Sequence, residues 1–208
     1  MLDTGNGIPV SLQPVRLPAE LRERLYNRLA EVRVARCVLE DFEIYEQCQT
    51  QWCWAAVTTS VLYFFSAPTA DPCLTQCQLV NCILDLEDCC LNGDSEDCNV
   101  PWPTNDPLDK LDLLEKYLPN VISFGDLKRE LGGANCQDGR PVGCGLDALG
   151  SNASHAVVIA GWCEIDQKEK VWVCDPEGPD EDWFIYNDFL RLYHERWEWA
   201  RTYRTKEP

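Results

Sequence analysis

The chain has 208 residues and a mass of 23.7 kDa, and its 45% of hydrophobic residues is enough material for a folded core. Lysine and arginine total 18 against 35 aspartate and glutamate residues, which gives a net charge of -17. This balance argues against nucleic acid and against an anionic membrane surface as partners. No run approaches the roughly 20 apolar residues that a membrane-spanning helix needs. We therefore expect the protein neither to span a membrane nor to bind its surface.

Thirteen cysteines stand against only two histidines, His155 and His194. An odd number of cysteines leaves at least one thiol without an intramolecular disulfide partner. Two histidines without a spaced pair exclude zinc fingers of the Cys2His2 type. The first 20 residues lack the basic start and the hydrophobic run of a signal peptide, which predicts a cytoplasmic location, with leaderless secretion as the alternative.

Before the cysteine-rich region, the chain divides into an extension and the start of a domain. Leucines at helical spacing predict an amphipathic helix over 18–36, inside an N-terminal extension of residues 1–36 that could act as a propeptide. The domain proper is predicted to cover 37–208. Its first part alternates between apolar and polar residues over 38–47, which favours a short strand. The stretch 53–65 is apolar almost all round, which is typical of a buried helix.

The middle of the chain is read as an acidic, cysteine-rich insertion over 71–107, irregular in structure. Two short helices are predicted after it, over 107–117 and 124–131, the second capped by Ser123. The spacing within the insertion matches no standard zinc module, so the chain is expected to hold no metal or other cofactor. Disulfides, free thiols and a zinc site all remain open for its cysteines, which are Cys73, Cys77, Cys82, Cys89, Cys90 and Cys98.

After residue 139 the pattern changes to short β-type runs separated by Gly, Pro, Asn and Asp. The chain closes with an amphipathic, basic segment over 187–204. Helices first and antiparallel strands afterwards predict the α+β class, with a helical half packed on a small sheet.

Cys53 is placed where a thiolate would be stabilised. It begins the hydrophobic helix, and unpaired N–H groups at a helix N-terminus favour negative charge. Gln47, six residues upstream, could bring its side-chain amide back to this point. That amide and the Cys53 backbone N–H would then form a two-donor oxyanion hole.

A base for Cys53 is expected from a strand in the other half, and His155 begins one. If this strand pairs with the next so that Ile159 lies opposite Val171, His155 lies directly opposite Asp175 on the same face of the sheet. Asp175 would then fix the tautomer and the orientation of the imidazole. The alternative for His155 is a core histidine, and for Cys53 a buried or disulfide-bonded cysteine.

Three segments taken together resemble the papain-like cysteine peptidases, especially a bacterial branch with a Trp-Cys-Trp-Ala-Ala motif. They are QCQTQWCWAA at 47–56, SHAVVIAGW at 154–162 and VCDP at 173–176. The resemblance covers about residues 45–200 and implies a papain-like fold with the nucleophile helix in its helical half.

The same resemblance assigns the roles in the site. It implies Cys53 as the nucleophile, His155 as the base, Asp175 as its orienting partner and Gln47 as the oxyanion donor. Gln49 and Gln51 compete with Gln47 but fit the pattern less well. His194 is interpreted as a surface or capping residue.

The implied activity is hydrolysis of a peptide or isopeptide bond in a peptide or protein substrate. Two alternatives remain: acyl transfer or glutamine deamidation at the same site, and a catalytically inactive cysteine-rich interaction module. The sequence makes no prediction of the oligomeric state.

Overall fold

Helices and strands are described by a computed structural model over residues 35–66, 75–178 and 180–208. Within these ranges the strands are β1 Ala35–Val38, β2 Leu114–Leu118, β3 Val142–Ala148, β4 Ser154–Ile165, β5 Lys168–Asp175, β6 Asp180–Ile185 and β7 Trp197–Thr205. The α-helices in the same ranges are α1 Cys53–Phe65, α2 Gln76–Leu84, α3 Asn105–Lys110, α4 Phe124–Glu130 and α5 Tyr186–Leu192. The helix predicted over 18–36 lies outside them, except that its last two positions begin β1.

The strands form one antiparallel sheet in the order β2-β7-β3-β4-β5-β6, with β1 paired to the second half of β4. The long strand β4 is therefore central, and its residues from Ala156 to Cys163 are all buried. Mixed helices and an antiparallel sheet are what the sequence predicts. The strands expected after residue 139 are present.

Helix α1 packs its apolar surface into the main core beside β4. Val57 and Val61 of the helix share this core with Val157 and Ile159 of the strand. The polar residues of α1 are buried as well, because their hydroxyls donate back to carbonyls of the preceding turn. Thr58, for example, donates to the Trp54 carbonyl at 2.8 Å.

A second, smaller core lies under the loop that precedes α1. Trp52 and Trp54 pack there with Leu79 and Val80 of α2 and with a disulfide between Cys89 and Cys98. This cluster joins the start of α1 to the cysteine-rich region.

Two helix and strand predictions are wrong in part. The helix predicted over 107–117 ends at Lys110, because Asp112 adopts a left-handed conformation with φ of 57° and the chain then pairs with β7 as strand β2. Of the strand predicted over 38–47, only Val38 lies in β1. The alternation there reflects burial of Phe42 and Ile44 in an irregular segment.

The cysteine-rich region is also more regular than expected. It contains α2, which begins with a capping box in which Thr75 and Gln78 satisfy each other's backbone N–H groups. The C-terminal segment 187–204 is not continuous, since it divides into α5 and strand β7. Strand β7 lies inside the sheet, between β2 and β3.

Disulfides account for six of the cysteines that the structure describes: Cys37 with Cys136, Cys77 with Cys90, and Cys89 with Cys98. Cys82 is an exposed free thiol, and Cys73 lies outside the described residues. Because Cys89 and Cys98 are joined to each other, they are not thiolate ligands for a zinc ion. Of the helices in the described ranges, none is both long and apolar enough to span a membrane.

Candidate active site

Cys53 is the first residue of α1 and carries a half-buried free thiol. The first N–H groups of a helix have no acceptor within the helix. The preceding residue Trp52 provides no side-chain cap to these groups. Cys53 therefore lies at the start of the helix that the sequence predicts from residue 53.

Hydrogen bonds to residues 98–100 fix the loop that carries Cys53. The indole of Trp52 donates to the Cys98 carbonyl at 2.8 Å, and the indole of Trp54 donates to the Val100 carbonyl at 3.0 Å. Between them, the Gln51 backbone N–H donates to the Asn99 side chain at 2.9 Å. The disulfide of Cys98 with Cys89 thus anchors the loop before Cys53.

His155 lies near the start of β4 and Asp175 at the end of β5, and His155 Nε2 lies 2.7 Å from Asp175 Oδ1. Both residues are buried, each with 6% of its surface exposed. The predicted register is wrong by two residues, since Ile159 pairs with Val173 and not with Val171. Because side chains alternate between the two faces of a sheet, a register shift of two residues leaves His155 and Asp175 on the same face. Their side chains therefore meet as diagonal neighbours.

Asp175 receives further donors that the sequence reasoning missed. Its Oδ1 also accepts from the Glu177 backbone N–H at 2.9 Å, and its Oδ2 accepts from the Tyr193 hydroxyl at 2.9 Å. The ring of Trp197 lies 5.5 Å from the His155 ring. The alternating aromatics Trp197 and Trp199 are the strand signal that could have located this part of β7.

The pKa of His155 responds to several opposed influences. Burial alone would lower it, but hydrogen bonds to Asp175 and Cys53, together with their negative charges, raise the pKa of His155 to about 10. Burial would raise the pKa of Asp175, but the bonds from His155, Glu177 and Tyr193 hold it below its ordinary value. Since Nε2 faces Asp175, Nδ1 is the nitrogen left for Cys53. The arrangement favours a charged imidazole beside the Asp175 carboxylate.

Gln47 lies on the wall of the same cavity as Cys53 and His155. Its backbone N–H donates to the Pro176 carbonyl at 2.9 Å, which ties the loop to the residue after Asp175. Its side-chain nitrogen donates to the carbonyls of Gln49 and Thr50, both at 3.1 Å. An oxyanion would therefore compete with these carbonyls for one amide hydrogen.

The cavity has a volume of about 540 Å³ and runs between the nucleophile loop and the sheet. Its lining includes the aromatic residues Trp102 and Tyr117 and two prolines, and charged groups are added by Arg196, Arg201, Asp147 and Glu177. A cavity lined by a thiol, an imidazole and other polar groups is a candidate active site.

The remaining candidates are placed differently. Gln51 lines the cavity, but Gln49 is not among its lining residues. His194 is exposed in a turn with φ of 50°, and its ring contacts Tyr193 and Phe184. It lies outside the described lining of the cavity, in agreement with its interpretation as a surface residue.

Solved structures resemble this fold. One is the structure of digestive procathepsin L 3 from the larval midgut of Tenebrio molitor, with a TM-score of 0.52 and 14% sequence identity, covering 81% of this chain and 69% of that chain. No protein-family model and no curated protein sequence matches the chain. The scaffold is papain-like. At this level of identity the similarity concerns the fold alone.

Proposed function

We propose that this protein is a cysteine peptidase that hydrolyses peptide or isopeptide bonds through a thioester on Cys53. The observation that carries the proposal is that Cys53 and His155 line one open cavity, where His155 Nε2 also lies 2.7 Å from Asp175 Oδ1. A nucleophile, a base and an orienting group in this order are the requirements of covalent acyl transfer. The papain-like scaffold supports the same reaction class.

In the acylation step, the Cys53 thiolate attacks the substrate carbonyl carbon and a C–S bond forms. His155 then gives its Nδ1 proton to the leaving amine as the C–N bond breaks. In the deacylation step, a water molecule attacks the thioester while His155 accepts its proton. This proton transfer restores the imidazolium, and the C–S bond then breaks to release the Cys53 thiolate and the carboxylic acid product.

The carbonyl oxygen becomes negative in both steps. The Cys53 backbone N–H and the Gln47 amide are the proposed donors to it. For Gln47 this requires that one amide hydrogen leave a loop carbonyl and turn to the substrate.

The substrate is proposed to be a peptide or protein, because an open cleft accepts an extended chain. A protein of net charge -17 attracts neutral or basic substrates more than acidic ones. The described residues form three disulfides, and disulfides are typical of proteins in oxidising environments. This favours a protein that acts outside the cytoplasm. The cytoplasmic location and the alternative of leaderless secretion both stay predictions.

The direct test uses an epoxysuccinyl probe and labelled casein. The wild-type protein should gain one probe mass, located at Cys53, and should release casein fragments. The Cys53→Ala variant should do neither, while Cys82→Ala, which removes an exposed free thiol, should match the wild type.

The masses of the products separate the alternatives. Hydrolysis yields fragments, deamidation of glutamine adds about one dalton, and acyl transfer joins two molecules. A protein that neither takes up the probe nor changes any substrate would contradict the proposal and favour the inactive interaction module.

A further inference from the structure

The turn between α5 and β7 contacts both members of the His155–Asp175 pair. At its start, the Tyr193 hydroxyl donates to Asp175 Oδ2 at 2.9 Å, and at its end the Trp197 ring lies against the His155 ring. Reciprocal backbone hydrogen bonds of 2.9 Å join Tyr193 to Trp197. One closed turn thus braces the base and its partner.

The Tyr193 ring is held by its own packing. It is 2% exposed, and it meets Phe184 and Phe189 edge-on with centroid distances of 4.9 and 5.2 Å. An aromatic ring has only two side-chain torsions, so this enclosure also fixes the hydroxyl. The donor is therefore in place before Asp175 accepts from it.

The hydroxyl controls the orientation of the carboxylate. On Oδ1 the acceptor sites face His155 Nε2 and the Glu177 N–H. On Oδ2 the bond from Tyr193 prevents rotation of the carboxylate about its Cβ–Cγ bond. Losing that donor would leave a buried anionic oxygen short of a hydrogen bond, which is costly.

We propose that Tyr193 is a positioning residue for His155, acting through Asp175. This inference rests on the proposed function. Tyr193 keeps Oδ1 directed at Nε2, and so keeps Nδ1 directed at the Cys53 thiol. Tyr193 is not among the residues that line the cavity, so its effect falls on turnover and not on substrate binding.

The first test is Tyr193→Phe, which keeps the packed ring and removes only the hydroxyl. With labelled casein we expect kcat to fall roughly ten- to a hundredfold, while KM stays within about twofold. The matched control is Tyr186→Phe. This tyrosine is also buried and also donates a hydrogen bond, but to the Ile122 carbonyl. The control should lose stability and keep its turnover.

A double-mutant cycle separates positioning from general support of the fold. In an Asp175→Ala background there is no carboxylate left to orient, so Tyr193→Phe should cause little further loss. A loss as large as that in the wild-type background would overturn the inference. So would wild-type turnover in Tyr193→Phe alone.

Alkylation of Cys53 by iodoacetamide at about pH 6 gives a readout that needs no substrate. We expect Tyr193→Phe to slow it several-fold and Tyr186→Phe to leave it unchanged. If the wild type fails to cleave casein, the proposed function fails, and the alkylation rates still decide the role of Tyr193. If the wild type cleaves casein and Tyr193→Phe equals it in both assays, only the present inference fails.

Discussion

The two sides of the cavity are held in place by different means. In the proposed site, the side that carries the nucleophile is a loop, residues 47–52, fixed by hydrogen bonds to a segment that the Cys89–Cys98 disulfide closes. The base side stands on the central strands of a continuous sheet, where His155 and Asp175 meet at 2.7 Å. Strand pairing is shared among many backbone bonds, whereas the loop depends on a few contacts. The base side should therefore tolerate conservative changes, and the nucleophile side should depend on its covalent brace.

The largest effect is expected from Asp175→Ala, with a loss of roughly a hundredfold or more in turnover. Asp175→Asn should keep far more activity, because the amide oxygen can still accept from His155 Nε2 and the Glu177 N–H. The Tyr193 hydroxyl can accept from the new amide, since a phenol is both donor and acceptor.

Turnover of labelled casein by the two variants, with circular dichroism to verify folding, measures this difference. Equal and severe losses would mean that the charge matters more than the orientation. Equal and trivial losses would remove Asp175 from the site altogether.

Gln47→Ala is expected to reduce turnover by roughly ten- to a thousandfold, since one oxyanion donor is lost. The rate of Cys53 alkylation should hardly change, because the thiolate does not depend on this amide. Gln49→Ala is the control, and its side chain lies outside the lining of the cavity. A larger loss of turnover in Gln49→Ala than in Gln47→Ala would show that Gln47 is not the oxyanion donor.

Removal of the Cys89–Cys98 disulfide is expected to have a smaller effect on activity. The double variant Cys89→Ser with Cys98→Ser should lose about 2–3 kcal/mol of stability and several-fold in turnover, as the loop behind Trp52 loosens. Removing Cys77–Cys90, which closes a loop of similar length, should cost similar stability but less turnover.

Urea unfolding and casein turnover of both double variants test the comparison between the two sides. Equal losses of turnover would show that the Cys89–Cys98 disulfide has no special connection to the nucleophile loop.

How far the sequence predicts this site depends on the distance between its parts. The helix that begins at Cys53 follows from local hydrophobicity, and His155 and Asp175 follow from strand signals and the spacing of the motif. The register of β4 and β5 could not be read exactly, because the strands continue to a tight turn at Asp166 and Gln167, and a register shift between Ile159 and Gly161 then moves the pairing by one residue.

Tyr193 and Trp197 could not be assigned for a different reason. Their contacts depend on the insertion of β7 between β2 and β3, which joins parts of the chain far apart in sequence. In the segment 187–204, the sequence pattern does not show where the helix ends and the strand begins. Only the tertiary pairing separates α5 from β7.

A further effect is expected on the pH dependence of stability. The folded-state pKa of His155 is raised to about 10, above its ordinary value of 6.5. Its contribution to stability is therefore full below about pH 6.5 and is lost as the pH rises towards 10. Between these limits the free energy of unfolding of the wild type should fall more steeply than that of His155→Gln. Urea titrations at several pH values measure the slopes, and identical slopes would contradict the charged pair. His194→Gln, at an exposed site, should keep the wild-type slope.

The central claim is that His155 holds Cys53 as a reactive thiolate. Its most direct test is brief iodoacetamide labelling at about pH 6, mapped by mass spectrometry in the wild type and in His155→Gln. We expect Cys53 to be labelled ahead of every other free thiol in the wild type, and we expect this preference to disappear in the variant. Predominant labelling of another cysteine, or unchanged labelling of Cys53 without His155, would contradict it.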